Sequence, residues 1–385
     1  MEIYTDAQRR DEVLGTLLDT YRNNAYPFNL KSTVLPQDSA HLPPRIRQYP
    51  ERFAFYLFCL CYFMSATDSI TATKCMTKLY KEHPRMFRPK YAARMRAKTI
   101  EQRLTAYGLG FREDQVAKWW VTNAKRLVES YDGSVLVLKG HINTYEDACD
   151  HILNRKNGKG FFGFQHKMVS MILYYLMATE LMDYFHCPVP VDFHILRITL
   201  ANKVVTTDQG PDTDMYTDEM LSAIRKMTFD FCVENNISWL ELSNAMWPFG
   251  KAMCRYNPGN KTFQPKGYAA RKTVLVRNIP IWTKTEKVNW EKSCNSCVIK
   301  QSCSDNIGAA EYYRKGKILL RGERTDPTEI QDSFFGLANV DIVHRASLIP
   351  ADEPAQVSKI GAQAILEIDQ LGFFNASQFK KTPAK

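Results

Sequence analysis

The sequence predicts a mostly helical, all-α protein, and three observations lead to that prediction. Apolar residues recur at three- and four-residue spacing through most of residues 50–245, which is the period of one helix face. The chain has 385 residues, enough for one large domain or two ordinary ones. Its hydrophobic content of 45% indicates a globular protein with ample core and excludes a disordered one.

The helices can be assigned individually from this spacing. The segment FAFYLFCLCYFM (residues 53–64) is too short to span a bilayer and predicts a buried helix. Three further helices are predicted over residues 114–131, 166–185 and 219–236.

Turn residues and prolines separate the predicted helices. YDGS (131–134) and NRKNGKGFFGF (154–164) are typical of helix-terminating turns. CPVPVD (187–192) must be extended, because each proline disfavours helix at the residue before it. Residues 30–50 are rich in Pro and Ser and predict a connecting segment before the first long helix.

The sequence changes character after residue 255. TVLVRNI (273–279) predicts a short strand, and GAAEYYRKGKILL (308–320) predicts a helix. Lys and Arg outnumber Asp and Glu by 51 to 41, a formal charge of +10, and this excess is concentrated late in the chain. A basic balance of this kind is common in nucleic-acid-binding proteins.

The first residues, MEIYTDAQRRDEVLG, carry charges where a secretory signal needs an apolar run. We therefore expect a cytoplasmic, nucleoid-associated or nuclear protein that has no membrane partner. Ten cysteines in such a chain do not predict a disulfide scaffold. Several lie in apolar helical patterns and are interpreted as small buried hydrophobic residues, namely Cys59, Cys61, Cys75, Cys149 and Cys232.

A cysteine-rich segment, SCNSCVIKQSCSD, brings Cys294, Cys297 and Cys303 within ten residues. A closed metal site usually has four ligands, and the nearest upstream cysteine is Cys254. The C-x2-C-x5-C spacing favours a [4Fe–4S] cluster, because short loops can bring thiolates to separate iron corners. A four-cysteine zinc site is the alternative, although zinc sites more often pair two short C-x2-4-C units.

MWPFGKAMC (246–254) followed by SCNSCVIKQSC (293–303) resembles the iron–sulfur loop of helix-hairpin-helix DNA glycosylases of the endonuclease III type. The first gap is thirty-nine residues here and six in that family, so residues 255–293 would be an insertion. Four other segments resemble family motifs in the family's order, and they are residues 63–80, 104–135, 160–173 and 189–198. PVPVD (188–192) is also similar to archaeal 8-oxoguanine glycosylases.

The resemblance implies a two-lobed helix-hairpin-helix glycosylase fold. Residues 52–180 would form a six-helix barrel lobe that contains the hairpin. Residues 1–51 and 181–305 would form the iron–sulfur cluster lobe, held by Cys254, Cys294, Cys297 and Cys303. Residues 306–385 would be a C-terminal extension of mixed structure.

The resemblance also implies a catalytic pair. Lys167 matches the Schiff-base lysine of bifunctional glycosylases, and Asp192 matches the family's essential carboxylate. Flanking apolar side chains and a helix start would disfavour the ammonium form of Lys167 and so free its amine. The carboxylate would stabilise positive charge on the sugar as the base departs. An ordinary surface lysine and a helix N-cap aspartate are the simpler interpretations of the two residues.

Base excision from double-stranded DNA is the function that the resemblance implies, with strand nicking by AP-lyase chemistry. Gly163, Phe164 and Gln165 would form the DNA-binding hairpin, and Ser65 would lie near the residue inserted in place of the flipped base. In the family's G-x-G the second glycine is Gln165 here, which puts the tight turn in doubt. The sequence does not identify the damaged or modified base, and the protein is expected to be monomeric.

Other functions remain open at this point. One is a non-catalytic or monofunctional protein of the same fold that recognises a modified base, including one from viral DNA. A second, from another class, is an RNA-binding or interaction protein held together by zinc. Both would lack Schiff-base chemistry at Lys167.

Overall fold

The structure, a computed structural model, describes residues 2–29, 41–63, 69–109, 112–155, 160–208, 217–253, 273–277, 296–303 and 317–321. The chain divides into two compact units. The central unit comprises Val34–Pro190 and Thr228–Ser243. The terminal unit comprises Met1–Thr33, Val191–Met227 and Asn244–Lys385. The functional assignment of the two predicted lobes stays a prediction.

Helices make up most of the described chain, so the helical fold class predicted from the sequence is confirmed. The strands form two antiparallel pairs. In chain order the elements are β1 (Ile3–Thr5), α1 (Ala7–Arg22), α2 (Pro50–Leu60), α3 (Ser69–Glu82), α4 (Pro89–Ala92), α5 (Ala97–Ala106), α6 (Glu113–Ser130), α7 (Tyr145–Leu153), α8 (His166–Ala178), α9 (Phe193–Ala201), β2 (Val205–Thr207), α10 (Asp218–Glu234), α11 (Trp239–Ala252), β3 (Thr273–Arg277) and β4 (Lys317–Arg321).

The core of the central unit is built around α2, which the sequence predicted as a buried helix. Every residue of α2 from Phe53 to Leu60 is buried. The Phe58 ring lies 4.7 Å from that of Phe164 and 5.0 Å from that of Phe161, measured between centroids. Aromatic pairs at these separations add to the free energy gained by burying their area. This cluster ties α2 to the chain immediately before α8.

The turn predictions around α6 and before α9 are confirmed. α6 ends at Ser130, and the next residues include Asp132 and Gly133 with positive φ of 51° and 77°. Residues 187–192 contain no helix, as the two prolines require. Among the cysteines interpreted as core residues, Cys59, Cys61 and Cys232 are buried, whereas Cys75 and Cys149 are half-buried.

The helix predicted over 166–185 was too long. It ends at Ala178, because Glu180 has a φ of 61° and the Leu181 N–H bonds back to the Leu176 carbonyl. The apolar residues that continue the pattern therefore pack from a turn. Between Lys167 and Asp192, the only helical residues are therefore those of α8, which ends at Ala178.

The helix predicted over 308–320 is wrong at its end. Residues 317–321 form β4, which pairs antiparallel with β3, the strand that the sequence predicted. Ile318 lies opposite Val276, and Leu320 lies opposite Val274. The pairing joins segments about forty residues apart, and it replaces the helix that the local spacing predicted for residues 317–320. The rest of that predicted helix lies outside the described residues.

The terminal unit contains α1, α9 and the β1–β2 pair. Ile3 pairs with Thr207, and Thr5 pairs with Val205. Asp6 caps α1 by accepting a hydrogen bond from the Arg9 N–H. In the part of the chain that the structure describes, no helix has the length and apolar character needed to cross a membrane.

Phe58→Ala is expected to destabilise the protein by about 3–5 kcal/mol, because truncation of a buried phenylalanine removes burial and leaves a cavity. Chemical denaturation monitored by circular dichroism measures this loss. Tyr91→Ala, at a position 41% exposed, is the control and is expected to change the free energy of unfolding by less than about 0.5 kcal/mol. Equal effects of the two substitutions would contradict the described core.

Candidate functional site

The turn before α8, residues 160–165 and here called the α8 turn, is fixed by a close contact between a glycine and a tryptophan. Gly163 has a φ of 82°, a conformation that side chains with a Cβ rarely adopt. A Cβ added to Gly163 would lie 2.5 Å from the ring of Trp119, which belongs to α6. Glycine is therefore required at this position both by the backbone and by the space.

A buried asparagine on α6 holds the same turn through the backbone of Phe162. The Asn123 Oδ1 accepts a hydrogen bond from the Phe162 N–H at 2.8 Å, and the Asn123 Nδ2 donates to the Phe162 carbonyl at 2.8 Å. The Nδ2 also donates to the Tyr62 hydroxyl at 2.7 Å. Asn123 is fully buried, so these bonds satisfy a side chain that would otherwise be costly to bury.

Sequence reasoning did not single out Asn123, although a signal was present. It is a polar residue on the apolar stripe of α6, where its neighbours on that face are buried. A buried amide on such a stripe needs hydrogen-bond partners. In this protein the partners are the backbone groups of the α8 turn.

The two other hairpin residues predicted to meet DNA occupy different environments. Gln165 is exposed, and its extended backbone (φ −134°) is one that any residue adopts. The tight turn therefore needs glycine only at Gly163, which removes the doubt raised by the missing second glycine. Phe164 is only 3% exposed and packs in the aromatic core, so it could reach DNA only through its backbone.

The start of α8 has no side-chain cap, since Gln165 makes no hydrogen bond from its side chain to the first turn. Helix N-termini present backbone N–H groups and a partial positive charge. The same position is favourable for a phosphate oxygen.

Lys167 is the second residue of α8 and is half-buried. Its charge acts on the buried thiol of Cys61: burial raises the pKa of that thiol well above its ordinary value, and the nearby Lys167 charge lowers it in part. The amine of Lys167 therefore lies close to the core of the central unit. A cation at a helix N-terminus is also disfavoured by the helix dipole.

Asp192 is the N-cap of α9 in the terminal unit, as its sequence position predicted. Its Oδ1 accepts hydrogen bonds from the N–H groups of His194 at 2.8 Å and Ile195 at 3.2 Å. The residue is 4% exposed. Its Oδ2 accepts no hydrogen bond from the residues that the structure describes. The two hydrogen bonds to Oδ1 thus fix the orientation of the carboxylate.

His194 and Arg197 brace the same helix start. The Arg197 Nη2 lies 2.6 Å from His194 Nδ1 and donates to the Gly250 carbonyl on α11 at 3.5 Å. A Cβ on Gly250 would lie 3.0 Å from the Cβ of His194. α9 and α11 therefore approach closely beside Asp192.

Two of the four predicted cluster ligands, Cys297 and Cys303, fall in a described segment. Residues 297–303 wind tightly, with the Lys300 N–H bonded to the Cys297 carbonyl and the Cys303 N–H bonded to the Lys300 carbonyl. Burial, and in smaller part the neighbouring Cys303, raises the pKa of the Cys297 thiol to about 12. A thiol that binds a metal must lose its proton, so metal binding at Cys297 would release one.

The segment that carries these thiols is attached to α1. The Arg9 Nη1 donates to the Ser302 carbonyl at 3.3 Å, and the Ser302 hydroxyl lies 3.4 Å from Glu12 Oε1. Ile299 is 4% exposed and anchors the winding in the core. Cys254, Cys294 and Ser65 lie outside the described residues, and no group of three metal-ligating side chains occurs within them.

No family model matches this chain, and no curated protein matches it either. The likeness to the endonuclease III type therefore rests on the motifs quoted above. The geometry of the α8 turn, Lys167 and Asp192 is independent of that likeness.

Gly163→Ala is expected to destabilise the protein by about 1–3 kcal/mol, because it combines a positive φ with a clash against Trp119. Thermal or chemical unfolding measures the loss. Gly140→Ala is the matched control, since a Cβ there would meet no atom within 4 Å. The close contact would be refuted if Gly163→Ala were as stable as the Gly140 variant.

Anaerobically purified protein is expected to contain iron and acid-labile sulfide and to absorb at roughly 400 nm, as thiolate-bound clusters do. Cys297→Ser should lose both, because it removes a thiolate ligand, whereas Cys149→Ser, outside the cysteine-rich segment, should retain them. Zinc in place of iron in the purified protein would support the alternative metal, and metal-free protein would exclude both.

Proposed function

We propose that this protein adopts the two-lobed helix-hairpin-helix glycosylase fold and is a bifunctional DNA glycosylase. In this proposal it removes a damaged or modified base from duplex DNA and then nicks the strand as an AP lyase. The single observation that carries the proposal is the half-buried Lys167 at an uncapped helix start, directly after a turn that requires Gly163. The ordered series of motifs from residues 63 to 303 supports it.

Lys167 is the proposed nucleophile. Its neutral amine would attack C1′ of a nucleotide flipped out of the duplex, and the bond from C1′ to the base would break. The base leaves with a proton, and the amine loses one as the sugar ring opens to an iminium. Loss of a C2′ proton then breaks the bond from C3′ to oxygen, which nicks the strand. The neutral form of the amine is the nucleophile in this sequence of steps.

Asp192 is the proposed electrostatic partner in the same reaction. Positive charge develops on the sugar as the base leaves, and a fixed carboxylate lowers the energy of that state. The two backbone hydrogen bonds to Oδ1 hold the carboxylate without consuming Oδ2. A group that is already oriented loses little free energy to reorganisation during the reaction.

The α8 turn is the proposed contact with the DNA backbone. Backbone N–H groups at a helix start bind phosphate oxygens without reading sequence, which suits an enzyme that examines every base pair. The exposed Gln165 and the uncapped first turn of α8 meet this requirement. The formal charge of +10 favours a polyanionic partner.

We propose a structural role for the [4Fe–4S] cluster, with Cys297 and Cys303 as two of its ligands and Cys254 and Cys294 as the others. Bound metal would fold the cysteine-rich segment against α1, where Ser302 already contacts Arg9 and Glu12. The base-excision steps use Lys167 and Asp192.

Borohydride trapping on a duplex with an abasic site tests the proposal, because reduction of the iminium leaves protein and DNA joined by a stable amine. The wild-type protein should form the adduct, and Lys167→Ala should form none. Lys98→Ala, which removes a lysine that is 70% exposed, is the control and should trap normally. Asp192→Asn should still bind DNA and slow adduct formation by about 10²–10³-fold.

Two results would defeat the assignment: duplex binding by the wild-type protein with no adduct, which indicates a non-catalytic reader, or an adduct that survives Lys167→Ala. A panel of duplexes with oxidised guanine, oxidised pyrimidine, mismatched or bulky modified bases would then identify the excised base. Base release and strand nicking are scored separately for each duplex.

A further inference from the structure

The exposed edge of the α8 turn carries two arginines on one aromatic ring. The guanidinium carbon of Arg126, on α6, lies 4.5 Å from the centroid of the Phe162 ring, and that of Arg155 lies 5.9 Å from it. Phe162 itself is held by the two backbone hydrogen bonds from Asn123. The ring is thus a fixed support on which both cations are positioned.

The second arginine is also held in place by its backbone surroundings. The Gly160 N–H bonds to the Asn154 carbonyl at 3.0 Å, and the Phe161 N–H bonds to the Ile152 carbonyl at 2.7 Å. A Cβ on Gly160 would lie 2.7 Å from the Asn154 backbone. These contacts hold Asn154 and Gly160 together, and Arg155 directly follows Asn154.

The positive charges of the two guanidinium groups are not neutralised by ion pairs within the described part of the chain. Burial, and then the charge of Arg155, lowers the pKa of Arg126 below its ordinary value. The Arg126 Nη1 is buried and has no hydrogen-bond partner among the described residues. Glu129 and Tyr131 oppose the shift only in part. An anion beside the accessible edge of these groups would offset the repulsion.

An open concavity of about 570 Å³ shares the Phe162 ring with this pair. Its other lining residues include Trp119 and Thr122, and both basic Arg112 and acidic Asp114. Lys118, which also lines it, makes an exposed contact of 3.7 Å with Asp114. The arginine pair and the concavity meet at the Phe162 ring.

We propose that Arg126 and Arg155 together bind one phosphodiester group of the DNA strand, using the Phe162 ring as their common support. Guanidinium groups present forked donors that match phosphate oxygens, so two of them can hold one phosphate from two sides. Phe162 belongs to the α8 turn, and the arginine pair thereby extends that turn's proposed DNA contact. This inference rests on the proposed function. It adds a contact between protein side chains and the DNA backbone.

The first test is the salt dependence of duplex binding by the full-length protein. Arg126→Gln and Arg155→Gln should each weaken binding about 3- to 30-fold and reduce the slope of log affinity against log salt by about 1. Lys125→Gln, which removes an exposed positive charge next to Arg126 on α6, is the matched control and should change both much less. Equal effects from all three variants would indicate general charge and overturn the proposal.

A scan with single neutral methylphosphonate substitutions gives a sharper result. The wild-type protein should lose affinity at one particular phosphate, and Arg155→Gln, which alters an exposed side chain, should lose nothing further there. The proposed site would be refuted if every methylphosphonate substitution weakened binding by the Arg155→Gln variant as much as it weakens binding by the wild-type protein. An Arg126→Gln variant that fails to fold is replaced by Arg126→Lys, which keeps the charge but loses the fork and should weaken the coupling.

One control identifies the source of the bound phosphate group. A second distinguishes failure of the phosphate site from failure of the proposed glycosylase activity. Competition by inorganic phosphate as strong as by duplex, or a scan that succeeds only on single-stranded RNA, would overturn a DNA contact. Borohydride trapping by the wild-type protein is measured independently. A loss of affinity at one phosphate without borohydride trapping would refute the proposed glycosylase activity and support the phosphate site. Trapping without that positional loss would support the glycosylase activity and refute the phosphate site.

Discussion

The hydrogen bonds between Asn123 and Phe162 are the constraint on which the rest of the candidate site depends. They fix the α8 turn to α6 from both sides of one residue, at 2.8 Å each. The α8 turn determines where α8 begins, and therefore where Lys167 lies. Because Asn123 is buried, loss of the pair would leave backbone groups without partners in a poorly hydrated place, which costs about 1–3 kcal/mol per group. The position of Lys167 is therefore secured by the buried side-chain amide of Asn123.

The sequence predicted the helices whose apolar stripes face a core, because burial is what enforces that spacing. α2, α6 and α10 follow their patterns closely. It failed where a local pattern competed with a distant partner: residues 317–321 have helical spacing but pair with β3. It also failed at Ala178, where an apolar run continued after the helix ended. Partners that lie far apart in sequence leave no local trace.

The same contrast holds for the candidate site. The N-cap role of Asp192 was legible, since an aspartate after an extended segment and before an apolar helix has few other uses. The roles of Asn123 and Trp119 were not, because each acts on a turn about forty residues further along the chain. Gly163 and Gln165 also illustrate what the sequence alone could not predict, namely which residue of the turn requires glycine. The motif that this turn resembles has two glycines, yet in this chain only Gly163 has a backbone that excludes other residues.

The way the chain is shared between the two compact units has a practical result. The central unit takes Val34–Pro190 and then Thr228–Ser243, so the chain leaves it and later returns. Both α10 and α11 continue from one unit into the other without a break. No single cut yields either unit whole, and truncated fragments ending near residue 190 would lack buried Trp239. We therefore expect a fragment that ends near residue 190 to be insoluble, because it cannot complete the core of the central unit.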